Sequence, residues 1–380
     1  MCTHLTYYKV RPVIRGYPKY LNRDECICTV PATTNERTMT PAKTQRNVCI
    51  TIGFVLLVFA LVVFTSAVAQ DAAARKNPYL VRTFVDEEGR EIAEIVVPGR
   101  PPEIKAEVAM VPESNIAMGT NSLLDVPTFD WCYGCSATAA AMMFGYYDRT
   151  GYSNMYAGPT NGGVCPLTNT VWGSGECPLS ATHRYYDGLA VRGHVDDYWY
   201  SYNSTVDPYY GNWPEHGYAD CTADFMGTNQ YVHWLNQDGA TTFYYYTSGA
   251  PLYDYSGCEP TKRDGTHGMR LFVESRGYNV LFYGGHYQNY FQLIYGYEGN
   301  TQGFTFDQYK AEIDAGRPVI IQVEGHSMLG YGYNDPNTVY LHDTWDHSSH
   351  AMTWGGTYPY GSQNLQHYAV TVIQLAALPP

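Results

Sequence analysis

The stretch that decides the fold is WCYGCSATAAAMMF, residues 131–144. The run of small and apolar residues after Cys135 predicts a helix that carries this cysteine in its first turn. A thiol at that place feels the positive end of the helix dipole, which favours the thiolate. Because the thiolate is the attacking form, Cys135 is the candidate nucleophile of a cysteine hydrolase.

The same letters also have the Trp-Cys-x-x-Cys form of a thiol redox site, with Cys132 as the partner of Cys135. A redox site of that kind follows an apolar strand within a compact βαβ pattern. The residues before the motif, DVPTFD at 125–130, are polar and interrupted by proline. The hydrolase interpretation is therefore favoured over a thiol-disulfide oxidoreductase.

The N-terminal part of the chain has the composition of an export signal. Residues 48–64 are apolar, Lys43 and Arg46 precede them, and Ala-Val-Ala follows at 67–69. These are the parts of a secretory signal peptide, so we predict a signal peptide at 39–69 and an over-extended start at 1–38. The rival interpretation is an uncleaved membrane anchor with 1–38 as a cytoplasmic tail, since a run of about 17 apolar residues is the lower limit for a membrane helix. The expected location is secreted or at the cell surface, with membrane anchoring if 48–64 is retained.

The charge of the exported part excludes one class of partner. Residues 70–380 carry 15 Lys and Arg against 33 Asp and Glu, a formal net charge of −18. Nucleic-acid phosphates need a basic surface, so no nucleic acid is expected as a partner. The expected partner is a peptide or protein substrate, extracellular or on a cell surface, with no stable membrane contact once the signal is cleaved.

Six cysteines follow residue 70, and export makes disulfides plausible. Cys165 and Cys177 close a short Gly-rich loop and are predicted to pair, and Cys221 with Cys258 is a second candidate pair. If Cys135 is a free nucleophile, one of the remaining five, among them Cys132, must stay unpaired.

The pattern along the chain predicts two regions after the signal. Residues 70–119 are a pro-segment or linker, with an alternating stretch at 92–97 and the stiff PGRPP at 98–102. Residues 120–380 form one domain, in which the Cys135 helix comes first, a Tyr-rich middle follows and an antiparallel sheet comes last, which is α+β order. Late elements are a helix capped by Thr305 and stopped by Gly316, and three strands. These strands are predicted at 318–323, 327–333 and 338–342.

The last two strands flank the turn cluster NDPN at 334–337 and bring a histidine and an aspartate together. Folding the hairpin about a four-residue loop puts position 326 opposite position 345. Asp343 then lies on the same face as His326, diagonally across, within reach of an imidazole. His326 is expected to take the proton of Cys135, and Asp343 to hold the imidazole in the right tautomer.

The chain resembles the papain-like cysteine peptidases, and most closely the C39-like branch of exported bacterial proteins. The matching stretches are YGCSATAAAM at 133–142, AGRPVI at 315–320, GHSMLGYGY at 325–333 and VYLHDTW at 339–345. The resemblance implies a papain-like fold in which a helix with the nucleophile packs on an antiparallel sheet. It also implies that Cys135, His326 and Asp343 are the catalytic triad.

One position departs from that family. Its members carry a Gln about six residues before the nucleophile to stabilise the oxyanion, and here that position is Phe129. Asp130 is no obvious replacement, because a carboxylate repels an oxyanion. The backbone N–H of Cys135 supplies one donor, and Trp131 or an Asn or Gln from elsewhere is a candidate for the second. Loss of one oxyanion donor lowers the rate about 10²–10³-fold.

For three other groups of residues we predict no bound ligand. The cluster formed by His342, His347, His350 and Asp346 fits no standard zinc spacing, and we predict no metal and no cofactor. His194, Asp196 and Asp197 are interpreted as surface residues rather than a calcium site. The tyrosines are interpreted as packing groups, with a peptide- or carbohydrate-binding face as the alternative.

The predicted function is a secreted cysteine hydrolase that cleaves peptide or related amide bonds through a thioester acyl-enzyme. The first alternative is a catalytically inactive C39-like protein that binds a surface polymer or protein. The second is a thiol-disulfide oxidoreductase that uses Cys132 and Cys135.

Overall fold

The computed structural model describes residues 76–99, 120–156, 163–173, 175–181, 221–230 and 236–378. The predicted start at 1–38, the signal peptide or anchor at 39–69 and residues 100–119 of the linker lie outside these ranges, as does much of the Tyr-rich middle. Within the described ranges, no helix is both long enough and apolar enough to cross a bilayer.

The helices of the described ranges are α1 Cys135–Arg149, α2 Thr222–Phe225, α3 Gly265–Ser275 and α4 Phe306–Asp314. α1 begins at Cys135 and is buried from there to Asp148, so it is the central helix. α4 begins as the sequence predicts, because Thr305 and Gln308 form a capping box in which each side chain bonds to the backbone N–H of the other.

The strands pair antiparallel, which together with the helices gives the predicted α+β fold. In chain order the strands are β1 Leu80–Val85, β2 Glu91–Val97, β3 Thr120–Ser122, β4 Thr241–Tyr246, β5 Leu252–Tyr253, β6 Phe282–Tyr283, β7 His286–Tyr287, β8 Asn289–Leu293, β9 Val319–Val323, β10 His326–Asn334, β11 Thr338–His342, β12 His350–Thr353, β13 Thr357–Tyr360 and β14 Gln363–Ile373. The main sheet has the order β12-β11-β10-β9-β14-β8-β5, with β13 on β14 and β3 on β10.

β10 and β11 form the predicted hairpin, with a register that changes along its length. Asn334 faces Thr338 next to the turn, and a bulge between Gly330 and Gly332 then shifts the pairing by one residue. Leu329 therefore faces His342, and the same register carried onward puts position 326 opposite 345. The ring centroids of His326 and Trp345 are 4.1 Å apart, so the two side chains are neighbours, although the ladder itself ends at Leu329 opposite His342.

Part of the predicted pro-segment belongs to a sheet. β1 and β2 form a hairpin, and β2 pairs along its full length with β4, from Ile92 opposite Tyr246 to Val97 opposite Thr241. The alternating stretch noted in the sequence is buried at Ile92, Ala93, Ile95 and Val97. This hairpin is thereby joined to β4, a strand within the Tyr-rich middle.

Three phenylalanines connect the helices behind α1. The ring of Phe144 on α1 stacks on Phe272 of α3 at 4.6 Å, and Phe225 of α2 meets the ring of Phe272 edge-on at 5.7 Å. Each of the three is at most 2% exposed. This aromatic contact fixes the helix that begins at Cys135 against the rest of the core.

Candidate active site

Cys135 lies at the start of α1 and is only 2% exposed. The preceding residue, Gly134, has φ +142, a conformation that glycine adopts at low cost, and its position has no room for a Cβ next to the carbonyl of Gly239. The Cys135 thiol donates a hydrogen bond to the carbonyl oxygen of Pro98, with Sγ and O 3.5 Å apart. The candidate nucleophile is therefore covered by the residue that follows β2.

The electrostatic setting of Cys135 differs from the one expected from its helix position alone. Burial raises the pKa of the thiol, and the nearby polar groups of Ser327 and Ser136 offset only part of that rise. Desolvation disfavours the thiolate more strongly than the helix start favours it. In the covered site the thiol is protonated at neutral pH.

His326 is the first residue of β10 and is held on two sides. Its ring stacks on Trp345, and its Nε2–H donates to the main-chain carbonyl oxygen of Asp343 at 2.7 Å. A bond to a carbonyl oxygen needs the proton on Nε2, so the neutral ring has Nδ1 as its acceptor. Burial lowers the pKa of His326 to about 4, which keeps the imidazole neutral and able to accept a proton.

A pair of hydroxyls joins the residues that follow the two candidates. Ser136 Oγ and Ser327 Oγ are 2.8 Å apart, and the Ser327 hydroxyl donates to Gln322 Oε1 at 2.7 Å. Because Ser327 uses its only proton on Gln322, Ser136 donates to Ser327. Gln322 in turn donates to Thr371 at 3.1 Å. This buried network fixes the start of α1 on the start of β10.

The carboxylate of Asp343 is bound away from the ring of His326. It accepts hydrogen bonds from the backbone N–H of Trp345 and the hydroxyl of Tyr358, both at 2.9 Å, and lies 3.4 Å from His350 Nε2. Burial raises the pKa of this carboxyl group. The sequence placed Asp343 beside His326, and in the structure the oxygen that reaches the imidazole is the main-chain carbonyl. Asp343 therefore contacts His326 through its main-chain carbonyl oxygen and not through its carboxylate.

The residues available to stabilise an oxyanion differ from those that the resemblance implies. Phe129 is buried, its ring meets Trp172 edge-on and its backbone N–H bonds to the sulfur of Met142, so this position offers no polar side chain. Asp130 bonds to the side-chain amide of Asn169. The indole N–H of Trp131 donates to the carbonyl oxygen of Gly99. The indole N–H of Trp131 is thus already bound to a peptide carbonyl.

The predicted disulfides are not supported. Cys165 and Cys177 are neighbours but are not joined. The thiol of Cys177 also interacts with that of Cys132, which contacts the carbonyl oxygen of Asp130 at 3.1 Å. Cys258 and Cys221 belong to different clusters, the first beside Tyr244 and the second beside Tyr133 and Ala137.

Three side chains in the described ranges have the chemistry and closeness of a cation site. The ligand atoms of Asp343, Asp346 and His350 all lie within 4.8 Å of one another. They already bond among themselves, with His350 Nε2 at 3.0 Å from Asp346, a contact that lowers the pKa of Asp346. His342 and His347 bond elsewhere, to the carbonyl of Ser348 and to Asn169. The predicted surface group at His194, Asp196 and Asp197 lies outside the described residues.

Two cavities border the site at Glu324, two residues before His326. One, of 490 Å³, is lined by Pro78 and Tyr79 on one side and by 363–365 on the other. The second, also of 490 Å³, is lined by 294–298, Gly355 and Gln366. Both cavities are thus lined in part by Glu324, and neither is lined by Cys135 or His326.

The protonated state of Cys135 gives a testable pH dependence. Below the raised pKa of the thiol, the thiolate fraction increases about tenfold per pH unit. We expect the alkylation rate of Cys135 by iodoacetamide in the native protein to rise nearly tenfold per unit between pH 6 and 8, measured by mass spectrometry of the Cys135 peptide. A rate that stays level over that range would show a preformed thiolate–imidazolium pair instead.

Comparison with known families gives one match. Residues 230–366 match the model of the Peptidase_C39 like family. The matched region contains His326 and Asp343, while Cys135 lies before it and rests on the resemblance of its own motif. No curated protein and no solved structure matches the chain.

Proposed function

Because residues 230–366 are part of a C39-like peptidase domain, we propose that the protein is a cysteine hydrolase that cleaves peptide or related amide bonds. Cys135 is the nucleophile, His326 the general base, and Asp343 the group that orients the base. The observation that carries this proposal is the hydrogen bond between Ser136 and Ser327, which joins the residue after Cys135 to the residue after His326. It brings a helix start and a strand start, 191 positions apart, into one site.

The proposed reaction has two steps. Nδ1 of His326 takes the proton of the Cys135 thiol, and the sulfur attacks the carbonyl carbon of the substrate to form a tetrahedral oxyanion. The C–N bond breaks, the leaving amine takes the proton from His326, and a thioester to Cys135 remains. Water then attacks the thioester with His326 again as the base, which releases the carboxylic acid and the free thiol.

In the proposed mechanism the main chain of Asp343 orients the base. The Asp343 carbonyl holds the Nε2–H of His326 and so keeps Nδ1 available on the other side of the ring. Stacking on Trp345 prevents the ring from rotating. The carboxylate of Asp343 fixes its own loop through Trp345 and Tyr358.

The oxyanion is proposed to be stabilised by two donors. The first turn of α1 leaves backbone N–H groups without helical acceptors, and that of Cys135 is the nearest to the sulfur. The indole N–H of Trp131 already binds a peptide carbonyl, that of Gly99, and is the proposed second donor. These two groups would replace the Gln that the position of Phe129 lacks.

The proposed substrate is a peptide or protein outside the cell, in keeping with the predicted export and with the net charge of −18 of residues 70–380. The oxidoreductase alternative has less support. The thiol of Cys132 contacts the Asp130 carbonyl and Asn169, and burial raises its pKa well above the ordinary value, so it is not poised as a redox partner of Cys135.

The experiment that tests the proposal is labelling by a peptidyl epoxide, which needs an activated thiol. At a dose that labels Cys135 in the native chain, we expect His326→Ala to lower the labelling rate at least about 100-fold, because general-base assistance contributes about 10²–10⁴-fold. The matched control is His342→Ala, another buried histidine of the same hairpin that bonds to Ser348 and not to the Asp343 carbonyl. Equal labelling of the native chain and the His326→Ala variant would argue for the inactive binding protein.

A further inference from the structure

The residues that follow β2 lie on the candidate nucleophile. Pro98 places its carbonyl oxygen 3.5 Å from Cys135 Sγ, and the next carbonyl, that of Gly99, accepts the indole N–H of Trp131. Two successive peptide groups of the chain thus bind two groups of the site. This is the way a short extended peptide would be held there.

We propose that Pro98 and Gly99 occupy the path of the substrate peptide and hold the chain in a latent state. The proposal rests on the function proposed for Cys135 and adds a regulatory role for residues 98–99, named here the cover. Access for a substrate then requires that the cover moves off the thiol while the rest of the hairpin stays in place.

The contact with Pro98 explains why the cover would persist beside a nucleophile. The thiol and the Pro98 carbonyl meet as donor and acceptor of a hydrogen bond, so the oxygen faces the sulfur. Nucleophilic attack needs the sulfur in line with the carbonyl carbon and the oxygen turned towards the oxyanion donors. Held in this way, the Pro98–Gly99 bond occupies the site without being presented for cleavage.

The cover is delivered by a strand that is part of the core. β2 pairs with β4 up to Val97 opposite Thr241, and Val97 itself is only 1% exposed. A segment tethered one residue from its site has a high effective concentration there, so weak contacts suffice to keep it bound. Only residues beyond Val97 need to move to expose Cys135.

A second contact comes from the opposite end of the same hairpin. Tyr79, just before β1, bonds through its carbonyl to the N–H of Val96 and places its ring on Gly325, next to His326. The hairpin thus touches the site at both of its chain ends, one near the candidate base and one on the candidate nucleophile. Because Tyr79 is fixed to β2, it positions the cover from the other side.

The fit of the cover depends on glycine. The Cα of Gly99 passes so close to the carbonyl group of Gly239 that a Cβ at position 99 would collide with backbone atoms. Gly239 in turn packs on the Tyr133–Gly134 peptide, with φ +83. A single added methyl group at position 99 should therefore push the cover out of the site, since neither neighbour is a flexible side chain that can yield.

The test uses the native full chain and the variants Gly99→Ala and Trp131→Phe. We expect the rate at which iodoacetamide alkylates Cys135 to rise at least about tenfold in Gly99→Ala, because steric overlap of one methyl destabilises the covered state by a comparable factor. In Trp131→Phe, which keeps an aromatic ring but loses the N–H, we expect about fivefold. Rates are read from the Cys135 peptide by mass spectrometry, with circular dichroism as the check of folding.

Val85→Ala is the matched control, because Val85 is in β1 of the same hairpin and its side chain is 62% exposed. It is expected to leave the alkylation rate unchanged. Folded Gly99→Ala and Trp131→Phe variants with native alkylation rates would overturn the cover. Hydrolysis is read in Gly99→Ala alone, because Trp131 is itself a proposed oxyanion donor. In that variant, faster alkylation without peptide hydrolysis would support the cover and contradict the proposed peptidase, and hydrolysis with unchanged alkylation would support the peptidase and contradict the cover.

Discussion

Replacing Cys135 by alanine is expected to lower peptide hydrolysis at least about 10⁴-fold, the scale on which loss of a catalytic nucleophile acts. Sγ of Cys135 is the proposed attacking atom and nothing adjacent can substitute for it. Cys132→Ala is the matched control, since Cys132 lies three residues earlier and is fully buried. Its thiol contacts the Asp130 carbonyl and Asn169, so its loss should change stability by about 1 kcal/mol and leave hydrolysis largely intact.

The measurement is the cleavage of a pool of quenched fluorescent peptides, with each variant made in the native chain and with Gly99→Ala added. The second background separates a thiol that is covered from one that is inactive. Equal loss of activity in Cys135→Ala and Cys132→Ala would argue for a dithiol reaction and against the hydrolase.

Replacing Phe272 by alanine is expected to lower the free energy of unfolding by about 3–5 kcal/mol, the usual range for a buried phenylalanine. Phe272 stacks on Phe144 of α1, meets Phe225 edge-on and lies under the guanidinium of Arg276 at 4.3 Å. Its removal leaves a cavity among three helices that rigid backbones cannot close. Because α1 starts at Cys135, the same change should loosen the site.

Urea unfolding followed by circular dichroism measures this change, with Phe282→Ala as the control. Phe282 is 60% exposed in the short β6–β7 hairpin, so its replacement should cost less than about 0.5 kcal/mol. Similar losses for the two variants would mean that the helices are not fixed by this aromatic contact.

Features that local chemistry dictates could be predicted from the sequence. The alanine-rich run gives a helix from Cys135, and Thr305 with Gln308 starts α4 through a capping box. The turn cluster at 334–337 gives the β10–β11 hairpin. The predicted pairing of 326 with 345 assumed a four-residue loop. The real ladder pairs Asn334 with Thr338, and the bulge at Gly330–Gly332 compensates for that difference.

Features that depend on distant partners could not be predicted. The position of Asp343 directly after β11 follows from the predicted hairpin, but the direction of its carboxylate is set by Tyr358 from another strand. The pairing of β2 with β4 joins segments separated by about 150 positions, with no turn signal between them. The contact of Cys132 with Cys177 is likewise set by packing around α1 and not by spacing.

The pairing of β2 with β4 also determines how proteolysis after the cover would affect the protein. Six consecutive backbone pairs hold β2, and its inward side chains are buried. A break between Gly99 and β3 would therefore leave the N-terminal piece bound in its sheet. The protein would then be two fragments on a denaturing gel and a single particle by size-exclusion chromatography. After such a nick the cover would stay attached to β2 but would no longer be held from its C-terminal side. The active site would then open because the cover can move away from Cys135, and no propeptide would have to dissociate.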